Sequence, residues 1–292
     1  MASKKMIPPA AAQNYTVGCL DCKVDGGNIE LVDQYKARGW DIINSAHLDK
    51  AKGHYDVLVT TWTQLNEKRL KNVGTRAIVI RDNDEPDNVL DPAVVARMGI
   101  PFYLIDNWGI STRVAWNEKM IMENTGGKEL WAQTITIIGN TPSHDAMAQR
   151  WRSLNAIVHY PFMPKTGNIN DLLTNLPNSD VVIAHLGKKD FGKFWMDPMF
   201  AYMQTNALFI STTRGPLYSA AKINHQIKER GMTAVLDWAW EEEKLLAHSR
   251  LLLTHHQSYK SELARSELTA VTTKAIDHAL QELAKTDAAK TA

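Results

Sequence analysis

Short β-branched runs alternate with helical patterns along most of the chain. Runs at 16–19, 40–44, 55–60, 76–80 and 101–105 read as strands in the first third. A second series follows at 134–138, 156–160, 180–184, 207–211, 232–236 and 251–254. Helical periodicity separates them, at 31–38, 145–154 and 217–230. Such alternation is the pattern of a parallel sheet with crossover helices, and two series predict two sheets.

Punctuation residues mark the division. Ser111 or Thr112 is placed to cap a long helix running towards Asn124, and Gly126-Gly127 stops it. Pro216 opens a later helix and Gly231 closes it. After Leu253 the pattern turns helical from Ser261 to Leu283, and 286–292 reads as a frayed tail.

Composition narrows the function classes. A chain of 292 residues suits two domains at roughly 150 residues each. Lys+Arg number 33 and Asp+Glu 32, a net charge of +1, which argues against nucleic-acid binding by bulk charge and against a polybasic membrane anchor. With 44% apolar and 22% charged residues the chain can bury a sizeable core. Cys19 and Cys22 have C-x-x-C spacing, but zinc needs four ligands and no second pair exists, so they read as small apolar residues and no metal is expected. No stretch of ~18 apolar residues is available for a membrane span. The N-terminus has a basic start without the apolar run of a secretory signal, and the expectation is a soluble cytoplasmic protein.

From residue 127 the chain reads GKELWAQTITIIGNTPSHDAMAQRW, then NSDVVIAHL, MQTNALFISTTRG, AVLDWAWEEE and LLLTHHQSYKSELARSE. The order and spacing of these segments resemble the D-isomer-specific 2-hydroxyacid dehydrogenases. YDVLVTT, RAIVIRDNDEPDNV and MGIPFYLIDNWGISTRVA extend the resemblance over nearly the whole chain. It implies an α/β fold of two doubly wound, Rossmann-like domains. A dinucleotide-binding domain at 109–256 would be inserted into a substrate domain made of 1–108 and 257–292. It also implies a small-molecule substrate and a homodimer formed through the long helix that opens the cofactor domain.

In that family a hydride passes between nicotinamide and the carbon bearing the hydroxyl or keto group. The substrate oxygen needs a proton partner with pKa near neutrality, and that partner needs a carboxylate to orient it. An anionic substrate needs a planar, permanently charged fork, which Lys replaces poorly. The matching residues are Arg214 in STTRG for the substrate, Glu242 in LDWAWEEE to orient, and His256 to exchange the proton. The Glu-to-His stretch is shorter than is usual in the family, and His255 stands where Pro is usual. Glu241 and Glu243 therefore remain alternatives to Glu242, and His255 to His256. Asp237 matches the partner of the nicotinamide amide, His185 and Thr213 match the rest of the cofactor site, and Trp238 or Trp240 could wall it.

Three stretches depart from the family pattern. The G-x-G-x-x-G loop falls on Gly139-Asn140-Thr141-Pro142-Ser143-His144, which keeps only the first glycine. A phosphate can still sit at the helix N-terminus, where Thr141, Ser143 and His144 could donate to it, or their bulk could exclude the cofactor. About 20 residues on, where an acid should bind the adenosine ribose, the chain has His159-Tyr160-Pro161-Phe162 and then Lys165, which favours NADP alongside NAD. The Gly-rich turn that would hold the substrate carboxylate is replaced by Asp82, Asn83, Asp84, Glu85 and Pro86. Those acids suit a substrate carrying an ammonium or guanidinium group, or form an exposed turn.

The leading expectation is an NAD(P)-dependent oxidoreductase acting on a small 2-hydroxy or 2-keto acid. The other, from a different class, is a family member without redox chemistry that binds a ligand or serves in assembly. The altered glycine loop supports the second, and the retained Arg, Glu and His support the first.

Overall fold

The computed structural model describes residues 15–21, 29–50, 54–61, 63–81, 89–105, 110–126, 128–139, 141–163, 167–187, 190–213, 215–255, 257–258 and 262–291. The chain divides into two compact units, residues 1–108 with 265–292, and residues 109–264.

In the first unit, β1 (Val17–Cys19), α1 (Ile29–Ala37), β2 (Asp41–Ile42), α2 (Ser45–Lys50), β3 (Val57–Thr60), α3 (Glu67–Val73), β4 (Ala77–Ile80), α4 (Pro92–Met98) and β5 (Phe102–Leu104) follow in turn. The strands form a parallel sheet of order β2-β1-β3-β4-β5. β3 and β4 are buried at every position, as in a sheet covered on both faces. Asn66 and Asp91 cap α3 and α4 through their side chains, and Gly74 and Gly99 end them in the left-handed conformation.

The second unit runs α5 (Ile110–Asn124), β6 (Thr134–Ile138), α6 (Pro142–Ser153), β7 (Ile157–Phe162), α7 (Ile169–Asn175), β8 (Val181–Ala184), β9 (Leu208–Ser211), α8 (Ala220–Arg230), β10 (Thr233–Leu236) and β11 (Leu251–Leu253). Its six strands are all parallel, in the order β11-β10-β9-β8-β6-β7. The winding direction reverses at β6, between β7 and β8. In open parallel sheets the carboxyl ends at such a point border the ligand crevice. Trp151 of α6 is fully buried and donates to Glu118 of α5 at 3.0 Å, tying the two helices that flank this end.

A last helix, α9 (Glu262–Thr291), closes the chain. Its Ile276, Ala279 and Leu280 pack with Val57, Val59 and Val79 in the first unit's core. The expected frayed tail is instead helical to Thr291, because Asp287 accepts hydrogen bonds from the Tyr15 hydroxyl and the Arg76 guanidinium. Two alternating series thus become two parallel sheets, and the α/β, doubly wound expectation holds. Among the described residues no helix is long and apolar enough to cross a membrane.

Candidate active site

The site is built on the carboxyl ends of β6, β8, β10 and β11. β6 ends at Gly139, whose φ of +136° favours glycine. A Cβ there would lie 2.3 Å from the His185 carbonyl oxygen, so the backbone can pass only without a side chain. Thr141 then adopts extended geometry as N-cap, and the ring of Pro142 fits the first helical position. α6 therefore starts at Pro142, ahead of the expected 145, and Ser143 and His144 fall in its first turn.

Both of those side chains are buried. Ser143 Oγ lies 3.5 Å from a guanidinium nitrogen of Arg113 on α5, a residue for which the sequence pattern carried no signal. His144 is wholly shielded from solvent, and its Nδ1 stands 3.2 Å from Thr141 Oγ1. Its ring centroid is 5.5 Å from that of His185 and 6.2 Å from that of Tyr160, at the ends of the strands on either side. His185 Nδ1 is 2.7 Å from Thr212 Oγ1. Burial and a hydrogen bond to Asp145 push the Tyr160 hydroxyl pKa well above its ordinary value. Thr213 is buried too; its hydroxyl accepts from Leu186 N–H at 3.0 Å and donates to the Ala184 carbonyl, locking the end of β9 to that of β8.

A second group forms after β10 and β11. Asp237, the residue matched to the nicotinamide amide, is buried beyond the end of β10. Its Oδ1 accepts from Thr254 Oγ1 and Gln257 N–H, both at 2.6 Å, and its Oδ2 from Ser258 Oγ at 2.5 Å. One carboxylate thus holds Thr254, Gln257 and Ser258, the described residues on either side of the histidines. Within that loop His255 turns through φ +49°, a conformation that His tolerates better than most residues. Its Nε2 lies 3.0 Å from Glu242 Oε1. Glu242 follows Glu241, itself left-handed at φ +59°. Lys244 hydrogen-bonds Glu241 and holds its carboxyl below the usual range. Glu241 is thereby engaged by Lys244, while Glu242 reaches the histidine. The rings of Trp238 and Trp240 lie 6.0 Å apart beside this group.

The structure therefore brings Gly139, Thr141, Ser143, His144 and His185 together at one place, and Glu242, His255 and Asp237 at another. Among the described residues Glu242 pairs with His255. Arg214, His256, Asn140, Lys165, Cys22 and the acidic turn 82–86 lie outside the described residues. The anchoring of the loop by Asp237 was missed, although Thr254 and Ser258 on either side of the two histidines were visible donors.

A profile of the D-isomer specific 2-hydroxyacid dehydrogenase NAD-binding domain matches residues 109–258. The chain belongs to the D-isomer-specific 2-hydroxyacid dehydrogenase family. It is accordingly an oxidoreductase of the 2-hydroxyacid dehydrogenase type with an NAD-binding domain. Solved structures share the fold at low identity. D-2-hydroxyisocaproate dehydrogenase is 16% identical with a TM-score of 0.69, over 90% of this chain and 96% of that one. An acyclic imino acid reductase in complex with NADPH and D-Arg is 13% identical with a TM-score of 0.68, over 91% and 97%. D-Lactate dehydrogenase with NAD+ from Lactobacillus jensenii is 14% identical with a TM-score of 0.63, over 90% and 97%. Compared by sequence with curated proteins, the chain matches none.

Proposed function

We propose that this dehydrogenase interconverts a small 2-keto acid and its 2-hydroxy acid, and that the substrate carries a cationic group. The observation that carries the acid–base part is the 3.0 Å contact between Glu242 and His255. A reduced nicotinamide supplies the hydride when bound. His255 gives its proton to the keto oxygen, and Glu242 fixes the tautomer and steadies the imidazolium. Arg214, between Thr213 and Gly215, grips the substrate carboxylate and carbonyl with its planar fork. Should His256 rather than His255 face the substrate, the proton passes from that neighbour instead.

The N-terminus of α6, directly after the glycine turn at Gly139, offers free backbone N–H groups and the positive end of the helix to a pyrophosphate. Gly139, Asn140, Thr141, Ser143 and His144 would hold the pyrophosphate, with His185, Thr213 and Asp237 along the remainder. NADPH is the favoured form, since Lys165 follows a strand end that has no acid before Asp171. The cationic substrate is favoured by Asp82, Asp84 and Glu85, and a neighbour of the same fold is described with NADPH and D-Arg. A homodimer through α5 completes the reading.

The test compares NADPH-dependent reduction of pyruvate with that of 2-oxo-5-guanidinopentanoate. The guanidino acid should have the higher kcat/KM, and Asp84→Asn with Glu85→Gln should reverse the order. Glu242→Gln and His255→Gln should each lower turnover by roughly 10²–10⁴-fold while dinucleotide affinity persists. Wild-type turnover in His255→Gln together with its loss in His256→Gln would move the proton to His256. No saturable binding of NADH or NADPH at millimolar concentration would sink the reading and favour a protein without redox chemistry.

A further inference from the structure

We propose that dinucleotide binding by this chain is proton-linked through His144, which takes up a proton when a pyrophosphate settles at the N-terminus of α6. The inference rests on the dinucleotide reading above and concerns the residue standing at the loop's third glycine position.

His144 is the third residue of α6, and its backbone N–H bonds the Thr141 carbonyl at 2.9 Å. Its imidazole fills the space above Gly139. A Cβ on that glycine would meet His144 Cε1 at 2.5 Å, so the ring and the bare backbone are complementary. The ring is therefore a fixed part of the turn rather than a surface side chain that can swing away.

The groups around the ring decide its charge. On its own helix are Thr141, bonded to Nδ1, and Asp145, whose carboxylate is taken by Tyr160. β7 presents Tyr160 and β8 presents His185. α5 brings the cation of Arg113 through Ser143. Burial, the positive end of the helix and Arg113 oppose a proton on His144 in the free protein, and the Asp145 carboxylate, turned to the Tyr160 hydroxyl, is the negative group set against them. A bound pyrophosphate reverses that field, because its negative charge outweighs the cations and favours the imidazolium. On this proposal His144 is neutral in the free protein and charged in the complex. Linkage then requires affinity to rise as pH falls, by up to about tenfold per pH unit for one proton. A loop of three glycines binds through backbone amides, which do not titrate.

ADP-ribose is the probe, since it carries the pyrophosphate without the nicotinamide or a 2′-phosphate that titrates near neutrality. Its Kd should tighten about tenfold between pH 8 and pH 6. Calorimetry in two buffers of different ionisation enthalpy should record proton uptake on binding to the unaltered protein. In His144→Gln, which keeps a hydrogen-bonding side chain, and in His144→Gly, the Kd should vary less than about twofold over the same range. A pH-independent Kd with no proton uptake in the wild type overturns the inference, as does a slope that survives in His144→Gln. A slope lost in His185→Gln but kept in His144→Gln assigns the proton to His185 and overturns it too. NADH is titrated in parallel at pH 7. If neither NADH at pH 7 nor ADP-ribose at any pH binds, the dinucleotide reading itself fails, whereas NADH binding with a pH-independent Kd for ADP-ribose leaves that reading standing and removes only the proton linkage.

Discussion

The two sheets end in the same device put to different uses. In the first unit Asp21 lies two residues past β1 at φ +60°, and its carboxylate gathers one loop. It accepts from Thr60 Oγ1 at 3.0 Å, Thr61 N–H at 3.0 Å, Thr63 N–H at 2.9 Å and Thr63 Oγ1 at 2.6 Å. In the second unit Asp237 gathers Thr254, Gln257 and Ser258 in the same way. The loop held by Asp21 carries threonines and no titratable group among its described residues. The loop held by Asp237 carries His255, which meets Glu242. A carboxylate saturated by local donors makes a loop rigid, and the chemistry depends on what the loop presents.

The comparison breaks most sharply at the two aspartates. Asp237→Ala should leave the donors of Thr254, Gln257 and Ser258 without their acceptor, costing about 2–4 kcal/mol in denaturant unfolding. It should also lower turnover by roughly 10²-fold or more, since the loop bearing His255 loses its fixed geometry. Asp21→Ala should cost a similar amount, about 2–3 kcal/mol, yet leave NADH affinity unchanged in a fluorescence titration. Equal loss of NADH affinity in both variants would show that the two clamps are not separate in function.

Smaller changes sharpen the contrast. Thr213→Val keeps the shape but removes the hydroxyl that joins β8 to β9, and should cost about 1–2 kcal/mol of stability. The weakest effect concerns α9. Arg76 and Tyr15 hydrogen-bond Asp287 and hold its carboxyl below the usual carboxylate range. A depressed carboxyl contributes stability that is present above its unfolded pKa and lost as pH falls through the folded one. The last turns of α9 should therefore loosen below about pH 4, seen as faster amide exchange there, and Asp287→Asn should show that exchange already at neutral pH.

Much of this was legible along the chain. Each of the eleven expected runs coincides with a strand, β7 running on to Phe162, and both sheets are parallel, because fully buried strands are continuous apolar runs and helices separate them. The family resemblance was carried by strand-end segments such as STTRG and LDWAWEEE, and the profile match over 109–258 bears it out. Side-chain partners were less legible. The sequence offered Glu241, Glu242 and Glu243 against His255 and His256, and spacing alone left the pairing open. Glu242 meets His255 because two left-handed residues, Glu241 and His255, aim the side chains.

Local periodicity determined the elements, since it depends on neighbours a few positions apart, but not every start. α5 already includes Ser111 and Thr112, and α8 begins at Ala220 behind the cap Ser219 rather than at Pro216. The missing second and third glycines were likewise plain from the sequence. What the replacement does was decided only by the tertiary structure. His144 is buried because β7 and β8 bring Tyr160 and His185 to either side of it. Asp237 became a loop anchor because β10 pairs with β11 in register, which sets its carboxylate beneath Thr254. Contacts between residues far apart in sequence arise from the order in which strands assemble. That order is a property of the packed sheet and has no local signature in the chain.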